Sequence, residues 1–479
     1  MSAPGRCARG PGPAVRAPGG GSVSTSSVSP PAAERRTAWA EGLDELRAAA
    51  TTEPGRLRVI GAVLALLVVL FGAVTAWQVS DRAAAADDVV EHSQPLTADA
   101  ASIYRSLADA DTTAAAGFLA GGEEGRATRD RYAADIATAS SLLVKASANS
   151  AGSDGAGAQI AKLNGGLPRY TGLVETARAN NRQGLPLGGA YLRYAHEQMR
   201  TELLPAARAL YDAETNRLAA DYSTAKAWPW WALASGVVAL GALGWAQRRH
   251  FRRTNRVFNR GLLAATAASV VVLMWLVAGH AVARGGLTGS YEHGARSLRV
   301  LNEARIDALR ARGNENLTLV ARGAVLTDGR QDFYEAGFRS GMTDLAGAGE
   351  RGAAPAASRL GAALALADDE AGRRPVREAL AQVRRWQARH AQARAADDKG
   401  DYDRALDGVI GAKGSTGESF DRVASGLQRA LVHEQAEFRS AADGGRAALG
   451  GLPVGAGVLA GLAAAGAVLG IGRRLAEYR

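Results

Sequence analysis

Two Glu-His pairs, Glu91-His92 and Glu292-His293, are the residues best suited to chemistry. An imidazole beside a carboxylate can hold a metal ion or move a proton. Neither pair has a third ligand at helical spacing, and a zinc site needs three or four. Both pairs therefore read as solvated helix faces, and no metal or cofactor is expected. No G-x-S-x-G, H-E-x-x-H or P-loop pattern occurs. The glycine-rich stretches follow helical segments instead of strands, so they read as turns. The long apolar runs hold no acid or base, apart from His280 at the edge of one; ion pathways usually need such groups inside the membrane. The chain is expected to be neither an enzyme nor a transporter.

Those apolar runs set the architecture. The chain has 479 residues, a mass of 49.5 kDa, one cysteine and a net charge of +10. One cysteine excludes a disulfide scaffold. Four uncharged runs, at 59–79, 229–246, 261–280 and 450–472, each approach the roughly 20 residues that cross a bilayer core. Seventeen arginines stand before the first run, between the second and third, and after the fourth, against six acids in the same segments. The long loops are then close to neutral. Such asymmetry places the basic segments and both termini in the cytoplasm of a multi-pass cell-membrane protein. It also removes the case for nucleic acid, which needs the charge on one soluble face. Trp77, Trp228, Trp230, Trp231 and Trp275 fall near the predicted outer ends of the runs, and Trp245 near an inner end, as amphipathic rings prefer.

Residues 80–228 and 281–449 are the two outer regions. In the first, Ile160, Leu163, Leu167, Tyr170, Val174 and Ala177 alternate steps of three and four, an apolar seam. Breaks at Gly121-Gly122, 149–157 and 184–189 divide four such segments, the pattern of an up-down bundle. The second region repeats this less cleanly. Ile306, Leu309, Leu317, Val320 and Ala324 mark its first helix, and Gly347–Pro355 and Gly372–Pro375 predict a broken one. A helix from Asp81 to Leu119 would reach about 58 Å, with Pro95 as a kink. The matching layout, with Glu91-His92 recurring as Glu292-His293, indicates a tandem repeat. The predicted fold is an all-α membrane protein: four transmembrane helices and two extracytoplasmic four-helix-bundle-like domains.

Four further features stand apart from the outer regions. Residues 1–37 read as a disordered extension, with a start further along the chain as the alternative. In 38–57, Trp39, Leu43 and Leu46 share one helix face with acids between, which suits a cytoplasmic partner better than anionic lipid. The loop 247–260 carries Arg248, Arg249, Arg252, Arg253 and Arg256, a topology signal or a strip for lipid or an acidic partner. Neither this loop nor the tail 473–479 has room for a catalytic domain. Gly457-x-x-x-Gly461 and Gly466-x-x-x-Gly470 either pack another helix closely or follow the chain's small-residue bias.

The layout of residues 38–479 resembles the actinobacterial GlnX-type membrane proteins. The resemblance rests on four spans, two outside helical regions and three stretches. These are Ser106-Leu107-Ala108-Asp109-Ala110-Asp111, Phe118-Leu119-Ala120-Gly121-Gly122 and Ala179-Asn180-Asn181-Arg182-Gln183-Gly184-Leu185-Pro186. The same stretches are similar to four-helix-bundle sensor domains of chemoreceptors. The resemblance implies a relay. A solute-binding lipoprotein would sense aspartate or glutamate outside, and the membrane protein would pass the signal to a soluble serine/threonine kinase inside. A direct small-molecule sensor and a non-signalling envelope scaffold are the alternatives. The oligomeric state and the packing of the two bundles stay open.

Overall fold

The computed structural model describes residues 53–121, 124–149, 154–254, 259–348 and 354–476. The chain divides into two units, Met1–Val59 and Ile60–Arg479, and the second holds both helical bundles. Among the described residues every element is helical, except one antiparallel bridge between Leu326 and Asp332. Four helical stretches are long and apolar enough to cross a membrane. Many of the large exposed apolar side chains lie on them, including Leu66, Val237, Met274 and Leu462, as a surface facing lipid requires.

Each half begins with a rod that leaves its span without stopping. In the first, α1 (Glu53–Asp88) passes through a π turn at Val89–Ser93 into α2 (Gln94–Leu119). The helix Gly55–Leu119 has 65 residues, about 98 Å at the usual rise. That π turn comes just before Pro95, the residue expected to kink the rod. The amide of Gln94 reaches back five residues to Val89, and the widened turn ends just before proline would lose its own bond. In the second half, α8 (Arg260–Gly289) passes through a π turn at Ser290–Ala295 into α9 (Arg296–Ala321). The two Glu-His pairs of the sequence lie inside these two π turns.

The return rods break where they meet their spans. The chain passes from α6 (Leu204–Lys226) to α7 (Trp230–Thr254) through an extended Ala227, and from α14 (Thr416–Leu449) to α15 (Leu452–Ala476) through Gly450-Gly451. The four spans meet at Phe71, Ala239, Val272 and Ala456.

Between its rods the first half holds α3 (Arg126–Asn149), α4 (Asp154–Arg182) and α5 (Leu187–Gln198), the last joined to α6 by a third π turn. The whole seam from Ile160 to Ala177 is buried. In the second half, α10 (Phe333–Ala346) and α11 (Arg359–Leu366) stand where the first has α3. Then come α12 (Glu370–Asp397) and α13 (Tyr402–Ile410). The break after α10 suits its residues. Gly347 adopts φ +87, and a Cβ there would lie 2.5 Å from Pro355. Gly372–Pro375, in contrast, lie in the opening turns of α12, capped by Asp369. Ala324 is exposed and outside α9, which Arg322 ends in the left-handed conformation at φ 47. Over the far end, α13 packs Ala405 and Val409 against Leu119, Leu319, Ala393 and Ala396.

Candidate functional site

The two bundles share one core, and α2 and α9 form its seam. The Thr112 hydroxyl lies 3.3 Å from the Leu309 carbonyl, and the Asn316 amide donates to the Thr112 carbonyl at 3.1 Å. Glu303, only 6% exposed, receives Arg299 at 3.2 Å, Arg208 of the first half at 3.3 Å and Arg359 at 2.8 Å. Arg131 joins Asp109 at 2.9 Å and Asp421 of the second half at 3.3 Å. Burial, then the neighbouring Asp109, raises the Asp135 carboxyl to about 7.

A cavity of about 380 Å³ opens between the halves beside this seam. Arg105 and Ser102 come from α2, Tyr211 and Thr215 from α6, Arg296, Arg299 and Asn302 from α9, and Gln428 and Leu431 from α14. Three arginines face one glutamate, Glu292, across it. Arg296 pairs with Glu292 and Arg299 with Glu303. Arg105 has a hydrogen bond to the Ser102 hydroxyl at 3.2 Å and, among the described residues, no carboxylate within 4.0 Å. Burial pulls Arg105 below the ordinary arginine value, against the charges of Asp109 and Asp135. Burial, and then Arg105 itself, bring neighbouring Arg305 down to about 10. Both stay charged at neutral pH. Positive groups, amide donors and an apolar wall of Leu218, Leu431 and Val432 can hold a small anion such as a carboxylate.

The π turns lie beside the cavity, and one helix holds both. The Ser93 hydroxyl donates to Asp221, while the next residue, Tyr222, shares a 2.7 Å hydrogen bond with Ser290. Asp221 and Tyr222 belong to α6. The break after α6 is gripped from both halves as well. Arg82 of α1 donates to the carbonyls of Ala227 (2.7 Å) and Trp228 (3.2 Å), and Arg284 of α8 to that of Lys226 (2.9 Å).

Each bundle also buries a histidine. In the first, His196 lies 2.6 Å from Asp111, which also accepts from Tyr170 at 3.3 Å. In the second, His390 bridges Glu315 and Glu335, each at 2.9 Å. Two carboxylate partners require both ring nitrogens to donate, so His390 is an imidazolium. Burial would lower its pKa, but the hydrogen bonds and charges of the two glutamates override that and hold it near 9. Arg312 (2.6 Å) and the Trp386 indole (2.9 Å) complete the shell of Glu315.

The residues singled out by sequence are dispersed. Trp39, Leu43, Leu46 and Arg256 lie outside the described residues. Arg248, Arg249, Arg252 and Arg253 end α7, where Arg249 stands 5.4 Å from the Trp245 ring. Gly466 and Gly470 lie against Gly261 of α8, and a Cβ on Gly261 would come within 2.3 Å of the Gly466 carbonyl. Gly457 and Gly461 have nothing within 4 Å of their Cβ positions. Sequence reasoning missed Arg105, Glu303 and Tyr222, whose partners come from distant segments. Residues 85–223, the first bundle, match the family model described as an actinobacterial sensor domain, which supports a sensing role. No curated protein and no solved structure matches the chain.

Proposed function

We propose that the chain is a non-enzymatic transmembrane relay of the cell membrane, with bundles outside and both termini in the cytoplasm. A solute-binding lipoprotein that senses aspartate or glutamate acts on the bundles. A serine/threonine kinase reads the Trp39–Leu46 segment or the basic segment 247–260. The observation that carries this reading is the pairing of Asp221 with one π turn and Tyr222 with the other. A displacement of one bundle is thereby felt by both rods, and each rod continues into a span. A partner shifts such an assembly only by its different affinity for two arrangements.

A crosslinking pull-down from native membranes, read by mass spectrometry, tests it. Recovery of both a solute-binding lipoprotein and a cytoplasmic kinase supports the relay; recovery of neither, with the chain abundant, overturns it. The arginine-lined cavity favours a second reading, in which the chain binds the acidic amino acid directly. Titration of the purified chain with glutamate and aspartate separates the two. Direct binding lost in Arg105→Ala would move the sensing step into this protein. A chain with neither partner nor ligand would be an envelope scaffold.

A further inference from the structure

The junction of α12 and α14 carries a second cluster, apart from the cavity between the halves. Asp369 caps α12, its Oδ1 accepting from the Gly372 amide at 2.7 Å. The same oxygen lies 3.1 Å from Nε2 of His433 on α14. One turn further along α14, Glu437 brings a carboxylate oxygen to 3.3 Å from that nitrogen. One donor atom from each residue falls within 4.8 Å of the other two. Bonds of 2.0–2.2 Å to a tetrahedral ion put neighbouring ligand atoms about 3.3 Å apart. Two of the three edges already have that length.

A buried carboxyl lies beside the same helix start. Glu434 is 3% exposed, and its Oε1 would lie 3.0 Å from a Cβ on Gly372, so it abuts the first turn of α12. It has no ion-pair partner within 4.0 Å among the described residues. One imidazole thus serves two carboxylates, Asp369 and Glu437, a surplus of negative charge that a cation would neutralise. The side chains of Asp369 and Glu437 are 46% and 37% exposed, which leaves room for water at a fourth coordination position.

We propose that Asp369, His433 and Glu437 form a zinc-class divalent-cation site that pins the start of α12 to α14. One nitrogen and two carboxylates with an open fourth position suit zinc better than magnesium, which demands an octahedron of oxygens. His433 and Glu437 project from one face of a helix at i and i+4, with Glu434 between them in sequence.

The test uses the full chain, purified in detergent without a polyhistidine tag and stripped with a chelator. Calorimetric zinc titration and elemental analysis should give one zinc per chain, retained in millimolar magnesium. Cobalt should give the visible absorption of a four-coordinate site. His433→Ala should weaken zinc binding at least about 100-fold, and Glu437→Gln at least about tenfold. Glu370→Gln, one residue from the cap, should bind like the wild type. If His433→Ala fails to fold, Asp369→Asn, which keeps the helix cap, takes its place. No stoichiometric zinc in the wild type, displacement by magnesium, or a ligand variant that binds like the wild type overturns the site.

Discussion

The two halves solve the same packing problem with different means. The first bundle has four full helices, and tyrosines such as Tyr104, Tyr170 and Tyr211 fill its interior. The second has lost part of one helix to the break after α10 and buries a larger ionic network than the first: Arg312, Glu315, Glu335 and His390 around Trp386. An apolar seam tolerates small shifts, because contacts between methyl groups are non-directional. A buried ionic network does not, because each donor must meet its acceptor. The second half is therefore the more rigid partner at the α2–α9 seam, and the first half is the more adaptable one.

Four measurements can break or sharpen that contrast. Glu315→Ala leaves Arg312 and His390 buried without their shared partner, so unfolding in detergent should show a loss of about 3–5 kcal/mol. His196→Ala in the first half should cost about 1–3 kcal/mol; equal losses would erase the distinction. The pH dependence should separate the halves next. His390 is held near 9, above its ordinary 6.5. Its contribution is complete below pH 6.5 and is lost as pH rises through 9, by roughly 3 kcal/mol. Glu315 and Glu335, held below the ordinary value by Arg312 and His390 despite burial, contribute above pH 4.5 and lose that as pH falls through their folded values. Hydrogen exchange should find the second bundle loosening first in alkali, and a His390→Gln variant should flatten that limb.

At the junction with the spans, Arg82→Ala removes bonds to two carbonyls of the α6 break and should cost about 2–3 kcal/mol, against about 1 for Arg284→Ala. The reverse order would show that the second half holds the break. Within the spans, Gly261→Ala should destabilise by about 1–3 kcal/mol through the Gly466 carbonyl. Gly457→Ala, with open space around it, should stay within about 0.5 kcal/mol.

Much of this fold was legible in the residues. The seam from Ile160 to Ala177 announces itself because a straight helix buries every third or fourth side chain. Gly347 and Pro355 mark the broken helix for steric reasons that need no neighbours. The π turns were visible only as a repeated Glu-His pair, since one extra residue in a turn leaves no periodic trace. Pro95, read from sequence as a kink, closely follows the first of these turns. The sites are less legible than the fold. Glu315 meets His390 across 75 positions, and Asp369 meets His433 across 64. The cavity needs Arg105 and Arg299, which meet only when two halves dock. Local spacing carries helices, but it cannot carry contacts made by folding the repeat onto itself.

The grip of Arg284 on the Lys226 carbonyl has a consequence for how the molecule is made. Synthesis runs from the N-terminus, so α6, its break and α7 leave the ribosome before α8 exists. Until then Lys226 must find another donor, and Tyr222 lacks Ser290. The first half is thus born unfinished, and the arrival of the third span closes it. Assembly has a required order, and a chain severed between α7 and α8 would regain its shape only if both pieces met in the same membrane.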